Sequence, residues 1–499
     1  MDTADGQDGD PTEPATKPGG RPEAAPGLRI VDIVPDGDLV LDVTFDTSHE
    51  TLKAARKAAK PRPGQKQQGI TAPVLKAQTR VGYRVQLAVL KQHSKYFDNL
   101  LSDTRFAEAR SIEARFRQLA LGNVKPSDAD AADLPVVEIH EDDEATRSAA
   151  QDSVFEDLLR ILHRKQSTAP SRAVTMQSLA VLAVLADRFD CAATVSRYLN
   201  ALRYKWPATQ TRLSRDDGPA LSRAAEETLR QKILVAWLLD QPLKMQAATR
   251  ELIMYGSRQW SLSPDHDPDQ AQHAAAWWDL PDDLETELHH RRTCILTTIA
   301  SVQRHFLALY TSRARQCKLG YDSSPSCDSY QLGEMVKFLA ARDLLFLSDF
   351  ASEPFAAPQQ PDYATVDIGH VLATLKQCPN YQIDKNHTNC GLRTRVLPIL
   401  EYIQAMLSAG AVAVAREGWR RDREAVAWSA VAEGGEGKKK KVFEFTRGLA
   451  TDQRLRYEGA LAADRMARAL FTAGGWDWTA EDREDGRGVE FGRWKPLGM

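Results

Sequence analysis

Four of the six cysteines of this chain are concentrated between residues 317 and 390, and a histidine accompanies them. Cys317 and Cys327 flank the stretch KLGYDSSPS, whereas His387 and Cys390 form an H-x-x-C pattern in CPNYQIDKNHTNCG. Thiolate sulfur and imidazole nitrogen are the ligands that zinc prefers, and four protein ligands leave no open position for a substrate. The residues therefore suggest one cofactor, a structural zinc ion that holds two irregular segments together.

The spacing of the first cysteine pair allows a second interpretation. Nine residues separate Cys317 from Cys327, whereas two to four are usual between paired ligands in zinc knuckles. The cysteines could instead be separate free thiols in a helical core and its loops. The sequence leaves both interpretations open.

Length and composition indicate the kind of protein in which such a site would lie. The chain of 499 residues is long enough for two or three domains, and its hydrophobic share of 42% and charged share of 27% are typical of globular proteins. The acidic, Pro- and Gly-rich residues 1–29 predict a disordered tail without a secretory signal, and no membrane span is expected. With few cysteines, we expect an intracellular location, in the nucleus or cytoplasm.

The chemistry that composition and motifs exclude is also informative. The sequence contains no GxxxxGK phosphate loop, GxSxG elbow, HExxH helix or GxGxxG dinucleotide pattern. We therefore expect a binding protein and not an enzyme.

Residues 30–205 alternate between strand and helix patterns. Apolar residues alternate at strand period in 39–45 and 81–85, and PVVEI at 135–139 predicts a third strand. Apolar stripes at helical spacing follow the second and third strands. Two polar stretches, 47–78 and 107–133, are interpreted as insertions, the first as a basic loop. The predicted fold class is α+β, with a small sheet and clustered helices.

Residues 219–433 carry long helical patterns and predict a mainly α-helical region. The last part, 434–499, is predicted to be a basic linker followed by a helical, tryptophan-containing tail that docks onto this region.

Five segments together carry a family resemblance. DGDLVLDVTF, YRVQLAVLKQHSKYFDNLLSD, PVVEIHEDD, VFEDLLRILH and LAVLADRFDC resemble, in that order, the BTB/POZ domain in the form seen in uncharacterised fungal BTB proteins. The most specific residues are Leu90, Ser94, Tyr96 and Phe97 on the first core helix. The resemblance implies a BTB/POZ-like domain at 30–205, which self-associates as a dimer or binds protein partners and has no catalytic activity.

The same resemblance suggests partner-binding residues. Some members of the family bind a cullin ubiquitin-ligase scaffold through an apolar residue, any residue and Glu, and Phe106-Ala107-Glu108 matches this pattern. Alternatively, Phe106 packs in the core and Glu108 is merely solvated.

Taken together, these patterns predict an adaptor that acts by self-association and partner recruitment. The alternatives are a substrate adaptor of a cullin ligase, or a zinc-stabilised nuclear regulator that binds DNA or chromatin proteins. The basic stretches 53–66 and 438–441 could be nuclear-import signals or phosphate contacts, or simply solvated loop charge. A nucleic-acid partner therefore remains open.

Overall fold

The fold is described from a computed structural model. The described residues are 28–58, 76–149, 151–164, 175–207, 222–261, 274–348, 365–388, 390–408, 410–432, 441–450 and 460–480. Residues 1–27 of the predicted tail, most of the basic stretch 53–66 and three of the four lysines of 438–441 lie outside them.

A four-stranded sheet organises the N-terminal part. Its strands are β1 (Arg29–Asp32), β2 (Leu39–Asp46), β3 (Gln78–Val85) and β4 (Val136–Asp142), in the order β1-β3-β2-β4. β2 is antiparallel to β3 and parallel to β4, so that Leu41 lies opposite both Tyr83 and Val137. The three predicted strands are confirmed, and β1, which pairs in parallel with β3, was not predicted.

Helices cluster on this sheet. They are α1 (His49–Ala58), α2 (Leu87–His93), α3 (Lys95–Ser102), α4 (Ala107–Leu121), α5 (Gln151–Leu162), α6 (Met176–Arg188) and α7 (Ala192–Ala201). Phe155 of α5 is fully buried and contacts the rings of Phe45, Tyr83 and Phe189. The predicted α+β class, a small sheet with clustered helices, is confirmed.

Ser94 fixes the junction between α2 and α3. Its hydroxyl caps α3 by accepting a hydrogen bond from the Phe97 amide at 3.1 Å, and it donates to the Phe189 carbonyl at 2.6 Å. The Phe97 and Phe189 rings stack with centroids 5.3 Å apart. Two of the residues that carry the family resemblance thus join the first helices to the end of α6.

The two predicted insertions contain helices that the sequence patterns did not predict. The stretch 47–78 was interpreted as a loop, but α1 occupies its first part. The stretch 107–133 contains α4, whose Leu119 packs with Val40, Ala129 and Leu134. This small cluster covers Val40, which lies on the second face of the sheet. The first residues of β2 are therefore buried on both faces, whereas the alternating sequence pattern predicts one buried face.

The C-terminal part is mainly helical, as predicted. Its first helices are α8 (Arg223–Leu238), α9 (Pro242–Tyr255), α10 (Leu284–Thr311), α11 (Ser324–Ala341), α12 (Ile368–Leu375) and α13 (Leu392–Ser408). They are followed by α14 (Arg416–Arg421), α15 (Arg423–Val426), α16 (Ser429–Ala432), α17 (Arg447–Ala450) and α18 (Ala460–Phe471). No helix in the described ranges is long and apolar enough to cross a membrane.

The last segments dock onto α10. Strands β5 (Val442–Glu444) and β6 (Gly475–Asp477) form a small parallel pair, which was not predicted. The buried indole of Trp478 donates a hydrogen bond to Ser301 Oγ on α10 at 3.0 Å. The predicted docking of the tryptophan-containing tail is confirmed for this residue.

A buried ionic network connects three parts of the helical region. Arg230 on α8 has no exposed surface; its guanidinium donates to Glu226 at 3.0 Å, to Glu285 of α10 at 2.6 Å and to Ser257, beyond α9, at 2.7 Å. Removing one partner of such a buried pair leaves an uncompensated charge, which is far more costly than losing an exposed pair.

We therefore expect Arg230→Met to lower the free energy of unfolding by about 3–5 kcal/mol, because Glu226 stays buried without its partner. The matched control is Arg117→Met, which breaks an exposed Arg–Glu pair of the same i,i+4 spacing with Glu113 and should cost less than about 1 kcal/mol. Denaturant unfolding of the full chain measures both. Equal losses in the two variants would contradict the stabilising role of the network.

Candidate metal centre

The four residues singled out as metal ligands lie together in the structure. Cys317 is in the loop between α10 and α11, Cys327 is in the first turn of α11, and His387 and Cys390 are in the loop between α12 and α13. Their ligand atoms all lie within 4.8 Å of one another. Cys317, Cys327 and His387 are buried and Cys390 is partly buried. The cluster, three thiols and one imidazole, can hold a metal ion.

The distances between three of the four ligand atoms match those around a tetrahedral metal ion. Cys317 Sγ is 3.7 Å from Cys390 Sγ and 3.6 Å from His387 Nδ1, and Cys390 Sγ is 3.9 Å from the same nitrogen. A tetrahedron built with the usual Zn–S and Zn–N bond lengths has S···S edges of about 3.8 Å and S···N edges of about 3.6 Å. These three donor atoms are therefore spaced as three corners of one four-coordinate centre, and the sulfur of Cys327 lies within 4.8 Å of each of them.

The imidazole of His387 is oriented by its second nitrogen. Ser323 Oγ lies 2.8 Å from Nε2, and the Asp384 carboxylate lies 3.8 Å from the same atom. When Nε2–H donates to Ser323, Nδ1 presents its lone pair toward the sulfurs. Such outer partners commonly fix the tautomer of a metal-binding histidine. The ring of Tyr321 packs against the imidazole, with centroids 5.6 Å apart.

Side-chain carboxylates hold the backbone of both ligand loops. Asp328 of α11 accepts hydrogen bonds from the amides of Gln316 and Cys317, each at 2.8 Å. Asp384 accepts from the amides of Asn386 at 2.8 Å and His387 at 3.1 Å. The first carboxylate ties one loop to α11, and the second closes a turn that directs His387 inward.

Gln331 joins the second loop to α11. Its buried side chain donates to the Tyr381 carbonyl at 2.6 Å and accepts from the Leu392 amide at 3.1 Å, at the two ends of the segment that carries His387 and Cys390. Gln331 thus holds both ends of the loop that carries His387 and Cys390.

The protonation of the thiols shows why a cation would be stabilised here. Burial raises the pKa of Cys327 to about 12, assisted by the neighbouring Cys317 and Cys390, and burial together with Cys317 raises that of Cys390 to about 11. Burial opposes ionisation of Cys317, but hydrogen bonds to its sulfur lower its pKa. Burial first, and the neighbouring sulfurs second, thus disfavour the ionised form of Cys327 and Cys390, and a divalent cation would oppose both effects.

The remaining cysteines stand apart from the cluster. Cys378 is in the same loop as two of the ligands, but its sulfur contacts the Pro379 carbonyl at 3.7 Å. Cys191 is buried in the N-terminal core, and Cys294 lies on α10 beside His290. The interpretation as separate cysteines describes these three, whereas the other three lie together in a cluster that could hold a metal ion.

Sequence reasoning missed the residues that support the ligands: Ser323, Asp328, Gln331 and Asp384. Asp384 could have been found, because an aspartate in a turn commonly accepts hydrogen bonds from the backbone amides that follow it by two or three residues. The contacts of Asp328 and Gln331 depend on how α11 packs, which no local pattern encodes.

The predicted partner-binding residues lie far from this centre in the chain, at the beginning of α4. Phe106 is the residue before the helix and is 43% exposed, and Glu108 is half-exposed in the first turn. The interpretation that Phe106 packs in the core is wrong. Lys53, at the start of the basic stretch 53–66, is exposed on α1.

We expect the purified full chain to contain one equivalent of divalent metal by elemental analysis. Replacing Cys390 by Ser should remove most of it, because a tetrahedral site loses one of its four ligands. Cys378→Ser is the matched control in the same loop and should keep the metal. A metal-free native chain, or equal metal loss in both variants, would contradict this assignment.

No protein-family model, no curated protein and no solved structure matches this chain.

Proposed function

We propose that the chain is a protein-interaction adaptor, with a BTB/POZ-like domain at its N-terminus and a helical region that offers a second surface. The observation that carries this proposal is the packing of the five segments with BTB/POZ resemblance. Their strands, β2, β3 and β4, are neighbours in one sheet, and their helices pack against it in one core. Partners would be recruited by binding, without chemistry at the site.

The interaction of the two regions suits an adaptor. Leu234, Val235 and Leu239, at the end of α8, belong to the same hydrophobic core as α5 and α6, together with Trp277. The indole of Trp277 also donates to Glu227 at 3.2 Å. A partner bound to the N-terminal domain would therefore be held at a defined position relative to the helical region.

We expect self-association of the full chain to appear as a mass that rises from 55.5 kDa toward twice that value with increasing concentration. Sedimentation velocity across a wide concentration range measures it. A constant mass of 55.5 kDa would contradict a homodimer.

A second candidate function, substrate adaptor of a cullin ubiquitin ligase, is favoured by the exposure of Phe106. A large aromatic side chain that is 43% exposed beside a half-exposed Glu108 can contact a partner without any rearrangement. The pair also lies at the start of α4, a few residues after the end of α3.

We expect a purified cullin N-terminal region to bind the full chain, and the double variant Phe106→Ala, Glu108→Ala to bind at least about 10-fold more weakly, as for loss of an aromatic hot spot. The matched control carries Glu113→Ala and Leu121→Ala on the same helix, where Leu121 is 89% exposed. Titration calorimetry measures all three. Equal affinity of the two variants, or no binding by the native chain, would exclude this candidate.

For the cluster of Cys317, Cys327, His387 and Cys390 we propose zinc as the metal, in a structural role. Three thiolates and one imidazole favour zinc over oxygen-preferring cations, and four protein ligands leave no position for a reactive water. The ion would fasten the loop before α11 to the loop before α13. The elemental analysis described above also identifies the metal, and magnesium or calcium in place of zinc would contradict the proposal.

A further inference from the structure

The four residues of the metal cluster differ in their access to solvent. Cys317 is 3% exposed and Cys327 and His387 are each 1% exposed, whereas Cys390 is partly exposed in the loop between α12 and α13. Oxidation of cysteine is selective for thiolates that an oxidant in solution can reach. A small oxidant that approaches the cluster from solvent therefore meets Cys390 first.

Cys317 is positioned to pair with Cys390. The two Sγ atoms are 3.7 Å apart, which is van der Waals contact, and a disulfide bond requires about 2.05 Å. Both residues lie in loops, outside the helices and strands. Rotation of the two side chains and a small shift of the loops can therefore bring the sulfurs to bonding distance.

The third thiol of the cluster is held differently. Cys327 lies in the first turn of α11, where its amide donates to the Ser323 carbonyl at 2.9 Å, and it is the most deeply buried of the three cysteines. Its backbone is thus fixed by the helix. The geometry therefore favours a bond between the two loop cysteines over one that includes Cys327.

Metal binding keeps the sulfurs in the form that reacts with an oxidant. A cysteine binds zinc as a thiolate, and the thiolate, not the thiol, is the nucleophile that attacks a peroxide. A bound metal therefore holds Cys317 and Cys390 next to each other in the reactive form. The arrangement that suits a metal ion also suits the oxidation of these two sulfurs.

We propose that the cluster is an oxidation switch, in which a hydroperoxide such as hydrogen peroxide joins Cys317 to Cys390 and causes the chain to release its metal. This inference rests on the zinc ion proposed above and names the regulation of that site.

The oxidation takes place in two steps. The Cys390 thiolate attacks one oxygen of the peroxide, the O–O bond breaks, and a sulfenic acid and a hydroxide ion are formed. The Cys317 thiolate then attacks the Cys390 sulfur, the S–O bond breaks and a second hydroxide ion leaves. The two sulfurs together lose two electrons, which the peroxide gains, and the hydroxide ions take up protons from the solvent.

The disulfide removes two of the four metal ligands. Cys327 and His387 remain, and two protein ligands are fewer than structural or catalytic zinc sites use. The chain therefore releases the metal, while the new bond still joins the loop before α11 to the loop before α13. Oxidation thus changes the metal content of the chain without detaching the two loops.

The test uses the full chain loaded with zinc and treated with hydrogen peroxide in the presence of a chromogenic zinc chelator. We expect release of about one equivalent of zinc together with formation of one disulfide, and recovery of the loaded form after dithiothreitol and zinc are added. The helical signal in far-ultraviolet circular dichroism should persist, because the loops stay joined. Retention of zinc, release without a disulfide, or loss of the helical signal before release would overturn the proposal.

Trypsin can identify which cysteines are paired, because it places each cysteine of this region in a separate peptide. Cys317 falls in 316–318, Cys327 in 319–337, Cys378 in 377–385 and Cys390 in 386–393. After the free thiols are blocked, mass spectrometry should find peptide 316–318 linked to peptide 386–393. A linked pair that contains Cys327 or Cys378 instead would overturn the assignment.

The variant Cys390→His replaces the oxidisable sulfur by another zinc ligand. Its zinc content is measured first, and release is expressed as a fraction of the loaded metal. We expect peroxide to release this fraction at least about 10-fold more slowly than in the native chain, because the accessible thiolate is gone. Cys378→Ser, in the same loop but outside the cluster, is the matched control and should match the native rate.

Equal release rates in Cys390→His and the native chain would overturn the role of Cys390. If this variant binds no zinc, the peptide analysis of the native chain decides, because it needs no substitution.

Zinc content also separates this proposal from the zinc proposal. A chain without zinc in which peroxide still links Cys317 to Cys390 would overturn the zinc proposal and support the pairing of the two sulfurs. A chain that holds one zinc and keeps it in peroxide would overturn the switch alone.

Discussion

Two adjacent buried arginines determine how the helical region is assembled. Arg291 and Arg292 on α10 are 3% and 1% exposed, and a buried guanidinium must have its donors satisfied to be tolerated. Arg291 donates to Glu287 and to the carbonyls of Val412, Ala413 and Val426, whereas Arg292 donates to the carbonyls of Ile253, Met254 and Val366. One turn of α10 thereby fixes the end of α9, the entry to α12 and the chain beyond α13. These contacts place the segments on which everything else in this region depends.

The candidate metal centre is a consequence of that arrangement. Once α12 and α13 are held against α10, the loop that joins them lies next to the beginning of α11, and Gln331 bonds to both of its ends. The ligands need little further organisation, since backbone amides of both loops are already bound by carboxylates. The helices already define the positions of the two ligand loops, and a metal ion would also attach these loops strongly to each other.

The predictability of this structure differs between its parts for physical reasons. Strands β2, β3 and β4 and the long amphipathic helices were predictable because burial of one face imposes a period on the sequence. Helix α4 was missed because its apolar residues Ala109, Ile112 and Leu119 are sparse among charges, although they recur at helical spacing.

The gap between Cys317 and Cys327 counts against a shared metal site only if both cysteines lie in one short zinc-knuckle loop. Because Cys327 lies in the first turn of a helix, the nine intervening residues form the approach to that helix instead. Strand β1 has only four residues, too few for any period to be read.

The separation of the ligands along the chain has a consequence for the order of folding during synthesis. Cys317 and Cys390 are 73 residues apart, so a centre that joins them closes a long loop, and the chain-entropy estimate for such a cross-link is about 4 kcal/mol. The centre cannot form until the ribosome has released residue 390, whereas the N-terminal sheet, complete at Asp142, can fold well before that moment. Until then, the loop before α11 would have only some of the four metal ligands available to it. The availability of metal at the time of translation would then decide when the two ligand loops become attached to each other.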